Sequence, residues 1–323
     1  MQLGARGWAG GSAPRYCPSS RTSTAPISLD APVTTTAPPK RRYGHARGRD
    51  RNRAVIDRIP SGASIVLAEG GKTFRIWKDR RVVVTGGSRG LGLGIVEALA
   101  ARKAKLTVVA RDRGRLAEVE RTLGVSTIAG DATDPKLAAS VLREVSPSMV
   151  ILSAGATPEM APVHEQTWEA FSAIWNTDVK MAFHWIQAAL RQPLARGSRV
   201  LVMSSGAALA GSPLSGGYAG AKRMQWLLAS YANGVSAELD RGIRFQAILP
   251  RQIIGDTELG RVAAAGYARQ KNITVEQFLA TFGKPLSPRQ VGEHVATILS
   301  DAAHDATTAF ELRGETGIRS LDG

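Results

Sequence analysis

From Arg81 onward, short runs of apolar and β-branched residues alternate with longer stretches whose apolar positions recur every three or four residues. The short runs are Val82–Thr85, Leu106–Ala110, Ser126–Ala129, Met149–Ser153, Arg199–Met203, Ile243–Ile248 and Thr308–Leu312. This alternation predicts parallel strands joined by right-handed helical crossovers. Several runs are apolar throughout rather than at every second position, as expected where helices cover both faces of a sheet. The expected fold class is therefore α/β, a doubly wound, mostly parallel sheet of about seven strands with helices on both faces. Asp134-Pro135 supplies a carboxylate cap followed by proline at the first helical position. Trp168, Phe171 and Trp175 recur at helical spacing and predict a buried helical face or an oligomer contact. A covering helix is expected over Thr257–Gln270.

Ahead of Arg81 the pattern stops. Residues 1–53 are rich in Ser, Thr, Pro, Gly, Ala and Arg without period, a composition that buries too little apolar area to offset the entropy of ordering it, so a disordered basic tail is expected. Residues 54–80 read as a linker with a short hairpin, Ser64–Leu67 against Thr73–Trp77, and residues 81–323 as the folded domain. The formal charge of +15 is lopsided: the first 81 residues hold 16 of the 42 Lys and Arg but only 5 of the 27 Asp and Glu. The folded body is mildly basic, so it is not expected to bind nucleic acid. The tail reads in three ways: sequence upstream of the true start, an organelle transit segment, or a tail for nucleic acid or an anionic surface. A lone Cys17 leaves no internal disulfide and no cysteine-rich metal site, and no metal is implied elsewhere. No apolar run is long enough to span a bilayer, and no secretory signal is recognisable, so the expected location is cytoplasmic.

The first run passes directly into Thr85-Gly86-Gly87-Ser88-Arg89-Gly90-Leu91-Gly92 and then a helix-forming stretch. Strand, glycine turn and helix together make a phosphate cradle: glycines let the backbone approach closely, and the open N–H groups and dipole of the helix favour an anion. At the end of the second strand, where a dinucleotide fold preferring NAD presents an acid, the sequence has Ala110 and then Arg111. With Arg89, Arg111 can clamp a 2′-phosphate, so NADP is expected over NAD. Asp131 and Ala132 follow the third strand, where an adenine amino group can be received. Ser153, Ala154 and Gly155 end the fourth in small residues that allow close approach to a ribose.

Tyr218 and Lys222 stand four residues apart, on one face of a helix. A neighbouring cation favours the phenolate and brings a tyrosine toward useful acid–base chemistry. Ser205 closes the fifth strand 13 residues earlier, where it can hydrogen-bond a substrate oxygen.

Taken together, the glycine turn and the Ser205, Tyr218 and Lys222 spacing resemble the short-chain dehydrogenase/reductase family, single-domain branch, over residues 81 to about 320. The resemblance implies a Rossmann-type domain and an NADP(H)-dependent oxidoreductase that moves a hydride between nicotinamide and a carbonyl or secondary alcohol. It implies Tyr218 as general acid/base, Ser205 orienting the carbonyl, and Lys222 acting on the phenol and holding the nicotinamide ribose. It also implies Asn176, in Trp175-Asn176-Thr177-Asp178, as the fourth member, aiding a proton-relay water. Pro250 and Ile253 fall where family members contact the nicotinamide, and a homodimer or homotetramer is the implied assembly. One departure stands out: Arg251 occupies the place of the glycine that normally follows Pro250, and an anionic substrate group is a candidate partner for it. The alternatives are a non-catalytic NADP-sensing protein on the same fold and a nucleotide-sugar epimerase or dehydratase; the second usually needs a longer C-terminal domain.

Overall fold

The computed structural model describes residues 77–322 apart from Pro193. The expectations for residues 1–53 and for the hairpin lie outside the described residues except at Trp77, whose side chain is buried ahead of an exposed turn. The first half runs β1 (Arg81–Thr85), α1 (Gly90–Ala101), β2 (Lys105–Ala110), α2 (Arg113–Leu123), β3 (Ser126–Ala129), α3 (Pro135–Val145) and β4 (Met149–Leu152). The second half opens with α4 (Trp168–Ile174), a π-helical segment over Trp175–Val179 and α5 (Lys180–Arg191). It continues through β5 (Arg199–Met203), α6 (Ala207–Ala210), α7 (Tyr218–Glu238), β6 (Arg244–Pro250), α8 (Glu258–Lys271) and α9 (Val275–Ala280). It closes with α10 (Pro288–Ser300), β7 (Ala309–Arg313) and β8 (Gly317–Ser320).

The eight strands form one sheet in the order β3-β2-β1-β4-β5-β6-β7-β8. All pairings are parallel except β7 with β8. Because successive side chains of a strand point to opposite faces, each apolar run feeds two cores. Val82 and Val84 join Ile95, Leu99, Val108, Val291 and Val295 under α1 and α10. Val83 joins Val109, Leu152, Met181, Trp185 and Phe245 under α5 and α7. The antiparallel β8 was not expected; it is a four-residue edge strand with a half-open, polar composition, too short to carry a period.

Local chemistry fixes the helix starts. The Asp134 side chain accepts from the Lys136 N–H at 2.8 Å with Pro135 in the first turn, and Ser287 and Gln290 close a capping box on α10. Thr257 caps the covering helix α8, its hydroxyl accepting from the Gly260 N–H at 2.9 Å. Of the two readings of the aromatic trio, the buried face is corrected: Trp168 is 72% exposed and Trp175 40%, although the Trp168 and Phe171 rings stack at 5.7 Å.

The strand order reverses between β1 and β4, and at such a switch point the two outgoing loops diverge and leave a crevice at the carboxyl ends of the strands. Thr85 ends β1 opposite Leu152 of β4. Its hydroxyl accepts from the Ser153 and Ala154 N–H groups at 3.1 and 3.2 Å, which pins the loop leaving β4 against the glycine turn.

Candidate functional site

The glycine turn occupies one wall of that crevice. Gly86 and Gly90 both have positive φ, and a Cβ on Gly86 would lie 2.6 Å from the Ala154 Cα. The turn therefore reaches the β4 loop backbone to backbone. A Cβ on Gly92 would lie 2.2 Å from the Gly86 carbonyl oxygen, so the first turn of α1 folds directly onto the strand exit. Arg89 at the N-cap is extended, and no side chain caps the helix. The first amides of α1 remain available as donors to an anion at the positive end of the helix dipole. The residues present thus fit the phosphates of a dinucleotide.

The flanking charges divide unequally. Arg89 is ion-paired with Glu258, the first residue of α8. Arg111 is exposed immediately after β2, while Asp112, the acid next to it in sequence, accepts from the Arg115 N–H at 3.0 Å and is committed to starting α2. Asp131 accepts from the Thr133 N–H at 2.9 Å; that bond holds its carboxyl below the usual carboxylate range against a partial desolvation, with Arg111 and Lys180 adding to the effect. The Ala132 carbonyl is fixed by the indole N–H of Trp185 at 2.9 Å, which anchors this loop to the core.

The candidate acid–base groups lie at the ends of β5 and α7. Ser204 donates to the Lys222 carbonyl at 2.7 Å, tying the strand end to the first turn of α7 and setting Ser205 beside it. The Ser205 oxygen accepts from the Ala207 N–H at 3.2 Å and keeps its own proton free to donate. Tyr218 opens α7 and is 8% exposed. The Lys222 Nζ lies 5.5 Å from the centroid of the Tyr218 ring, as the four-residue spacing predicts, and donates to the Met203 carbonyl at 3.3 Å and to Gln225 Oε1 at 2.9 Å.

A residue outside the expected set meets Lys222. Asn176 is exposed on the π segment, and the side chain that meets Lys222 is Asp178, whose Oδ2 lies 2.8 Å from Nζ at 1% exposure. Burial alone would lower the Lys222 ammonium, but Asp178 and the Tyr218 phenol together hold it above the usual lysine value. Choosing by residue type led to Asn176. The signal that finds Asp178 is positional: with Met181, Ala182, Trp185 and Ala189 it falls on the buried stripe continued by α5, and an acid in such a stripe needs a partner.

The segment after β6 closes the far side. Pro250 accepts from the Gly206 N–H at 2.7 Å, joining the β6 exit to the Ser205 turn. Ile253 packs with Ala264, Ala268 and Phe278 beneath α8. Arg251 lies 3.5 Å from the buried Glu311, which Arg313 also approaches at 3.3 Å, so its guanidinium already has a carboxylate partner within the fold. Tyr267 on α8 hydrogen-bonds Ser212 at 2.8 Å, fastening the covering helix to the turn ahead of Tyr218. Among the described residues, no group of three His, Cys, Asp or Glu is placed to hold a metal, and no helix is long and apolar enough to cross a membrane.

Comparison with known proteins accords with this arrangement. A short chain dehydrogenase/reductase of Aspergillus aculeatus is 31% identical over 152 residues, 44% of this chain and 54% of that protein, so the chain spans about half the length of this relative. Carbonyl reductase [NADPH] 2 of Sus scrofa is 24% identical over 239 residues, 70% of this chain and 97% of that one. The fold is shared with an NAD+-bound xylitol dehydrogenase at a TM-score of 0.64 and 20% identity, over 73% of this chain and 98% of the other. The family described as short chain dehydrogenase matches residues 80–265, more than half of the sequence, and the chain belongs to that family.

Proposed function

We propose that this protein is an NADP(H)-dependent oxidoreductase that interconverts a carbonyl compound and its secondary alcohol, with Ser205, Tyr218 and Lys222 as the acid–base set. The observation that carries the reading is the buried Lys222 amine held 5.5 Å from the Tyr218 ring centre, at the same edge of the sheet as an uncapped, glycine-lined helix start. When bound, the nicotinamide supplies or accepts the hydride. The chain does the rest. The Ser205 hydroxyl donates to the substrate oxygen and holds it in line with Tyr218. The phenol gives its proton to that oxygen in reduction and takes it back in oxidation. Lys222, kept cationic by Asp178 in spite of its burial, stabilises the phenolate between the two events. Asp131, Ala132, Ser153, Ala154 and Gly155 line the cofactor side of the crevice; Pro250 and Ile253 bound the nicotinamide end.

Arg111 supports NADP over NAD, since it is exposed at the end of β2 with the adjoining Asp112 turned into a helix cap. Arg89 is held by Glu258 across an exposed pair, a contact weak enough for a 2′-phosphate to displace. Relatives point both ways, one carrying NADPH in its name and one solved with NAD+. The test is cofactor consumption against ketones, quinones, 3-oxoacyl thioesters and steroids with NADPH and with NADH. Arg111→Ala is expected to raise the KM for NADPH by about 10- to 100-fold, the range of one lost charge-assisted hydrogen bond, and to leave NADH use unchanged. Equal efficiency with both cofactors, and an Arg111→Ala variant indistinguishable from wild type, would overturn the NADP assignment. We also infer a homodimer or homotetramer, whose contacts would cover exposed rings such as Trp175, Phe183 and Tyr231.

A further inference from the structure

We propose that Asp178 is a positioning residue of this site: its carboxylate pairs with the Lys222 ammonium, offsets the pull of that charge on the Tyr218 phenol, and so sets the pH range over which the phenol exchanges its proton. The inference rests on the acid–base reading of Tyr218 given above.

The carboxylate is built in. Its Oδ2 meets Lys222 Nζ at 2.8 Å, and its Oδ1 accepts from the Ala156 N–H at 2.9 Å and from the Thr177 hydroxyl at 3.0 Å. Its backbone carbonyl accepts from Gln225 Nε2 at 3.1 Å, and Gln225 Oε1 in turn accepts from Lys222 at 2.9 Å. Asp178, Lys222 and Gln225 thus close a ring of contacts linking the π segment to α7. Gly155 makes room for it: a Cβ there would lie 2.7 Å from Asp178 Oδ2. The π segment brings residue 178 to this point, for such a one-residue bulge rotates the side chains that precede it relative to those that follow.

A lone ammonium beside a phenol draws off its proton strongly, whereas one already matched by a carboxylate presents a nearly neutral pair and draws it off less. Among the described residues, the charged or titratable groups acting on Lys222 are Asp178 from the π segment and Tyr218 from its own helix; β5 offers the Met203 carbonyl, and Gln225 is neutral. Asp178 is therefore the group that decides how much of the Lys222 charge reaches the phenol.

The experiment uses the NADPH-loaded protein and the variant Asp178→Asn, which keeps one acceptor oxygen for Ala156 and Thr177 and removes the charge and the acceptor that face Lys222. In carbonyl reduction kcat/KM falls toward high pH, and in Asp178→Asn, where no carboxylate matches the Lys222 charge, that fall is expected to set in at lower pH. A structural role would lower kcat evenly across pH and leave the limb in place; that result, or a limb moved to higher pH because the buried Lys222 loses its charge without Asp178, overturns the proposal. Tyrosinate absorbance, taken as wild type minus Tyr218→Phe and repeated in the Asp178→Asn background, reads the same shift without turnover, so it holds even if no substrate is found. Should Asp178→Asn not fold, Asp178→Ser admits water beside the ammonium and makes the same charge change; a chain that folds with neither makes Asp178 a folding residue and also overturns the proposal. If wild type and Tyr218→Phe reduce a carbonyl equally well, it is the functional reading that fails.

Discussion

Replacing Tyr218 by Phe is expected to lower kcat by about 10²- to 10⁴-fold, the range a positioned general acid contributes, with the KM for NADPH nearly unchanged. The change is one oxygen atom. The ring remains, packed with Ile174 and Ala221, and among the described residues the hydroxyl makes no hydrogen bond whose loss would disturb the fold. The melting temperature should therefore stay where it is, which separates a chemical defect from a structural one. Lys222→Met should cost at least as much activity and should also destabilise the chain, because it leaves Asp178 as an unpaired charge at 1% exposure. Steady-state kinetics with any carbonyl found in the screen, beside thermal melts of both variants, checks the pair. Full activity in Tyr218→Phe would remove the acid–base assignment.

How far the sequence discloses such a site depends on the range of the interaction concerned. The glycine turn, the strand ends and the Tyr218–Lys222 spacing are local patterns, and the structure reproduces them with strand bounds shifted by a residue or two. Contacts between distant parts of the chain leave no such pattern. Arg89 reads as a free cation until α8 brings Glu258 to it from 169 residues away. Arg251 reads as an unpaired charge facing a substrate until β7 sets Glu311 beside it. The contact of Asp178 with Lys222 was missed in a different way. A regular helix would keep one face through Trp175-Asn176-Thr177-Asp178, but the π segment changes the register, so the buried position falls on the acid and the amide faces solvent. The exposed Trp168 shows the limit of periodicity: spacing says which side chains share a face but not what covers it.

Gly292→Val is expected to destabilise the fold by about 3 kcal/mol or more, at or beyond the upper end of ordinary overpacking. The reason lies in the contact between α1 and α10. A Cβ at Gly292 would stand 2.2 Å from the Gly94 carbonyl oxygen and 2.8 Å from the Ala98 Cβ, and a Cβ at Gly94 would stand 2.3 Å from the Pro288 carbonyl oxygen. The obstacles are largely backbone atoms, which cannot rotate aside as a flexible side chain does, so the helices must separate. Separation opens the layer of Ile95, Leu99, Val291 and Val295 that they close together, adding lost burial to the steric cost. For a domain of this size 3 kcal/mol corresponds to a melting temperature lower by about 6–12 °C. Gly234 on α7 serves as the control, since a Cβ there meets nothing within 4 Å and alanine should be tolerated. Because α1 also carries the glycine turn at its N-terminus, any Gly292→Val protein that folds should bind NADPH more weakly as well. Unchanged stability would mean that α10 can slide without loss, and the close approach of the two helices would then have no part in holding the phosphate turn in place.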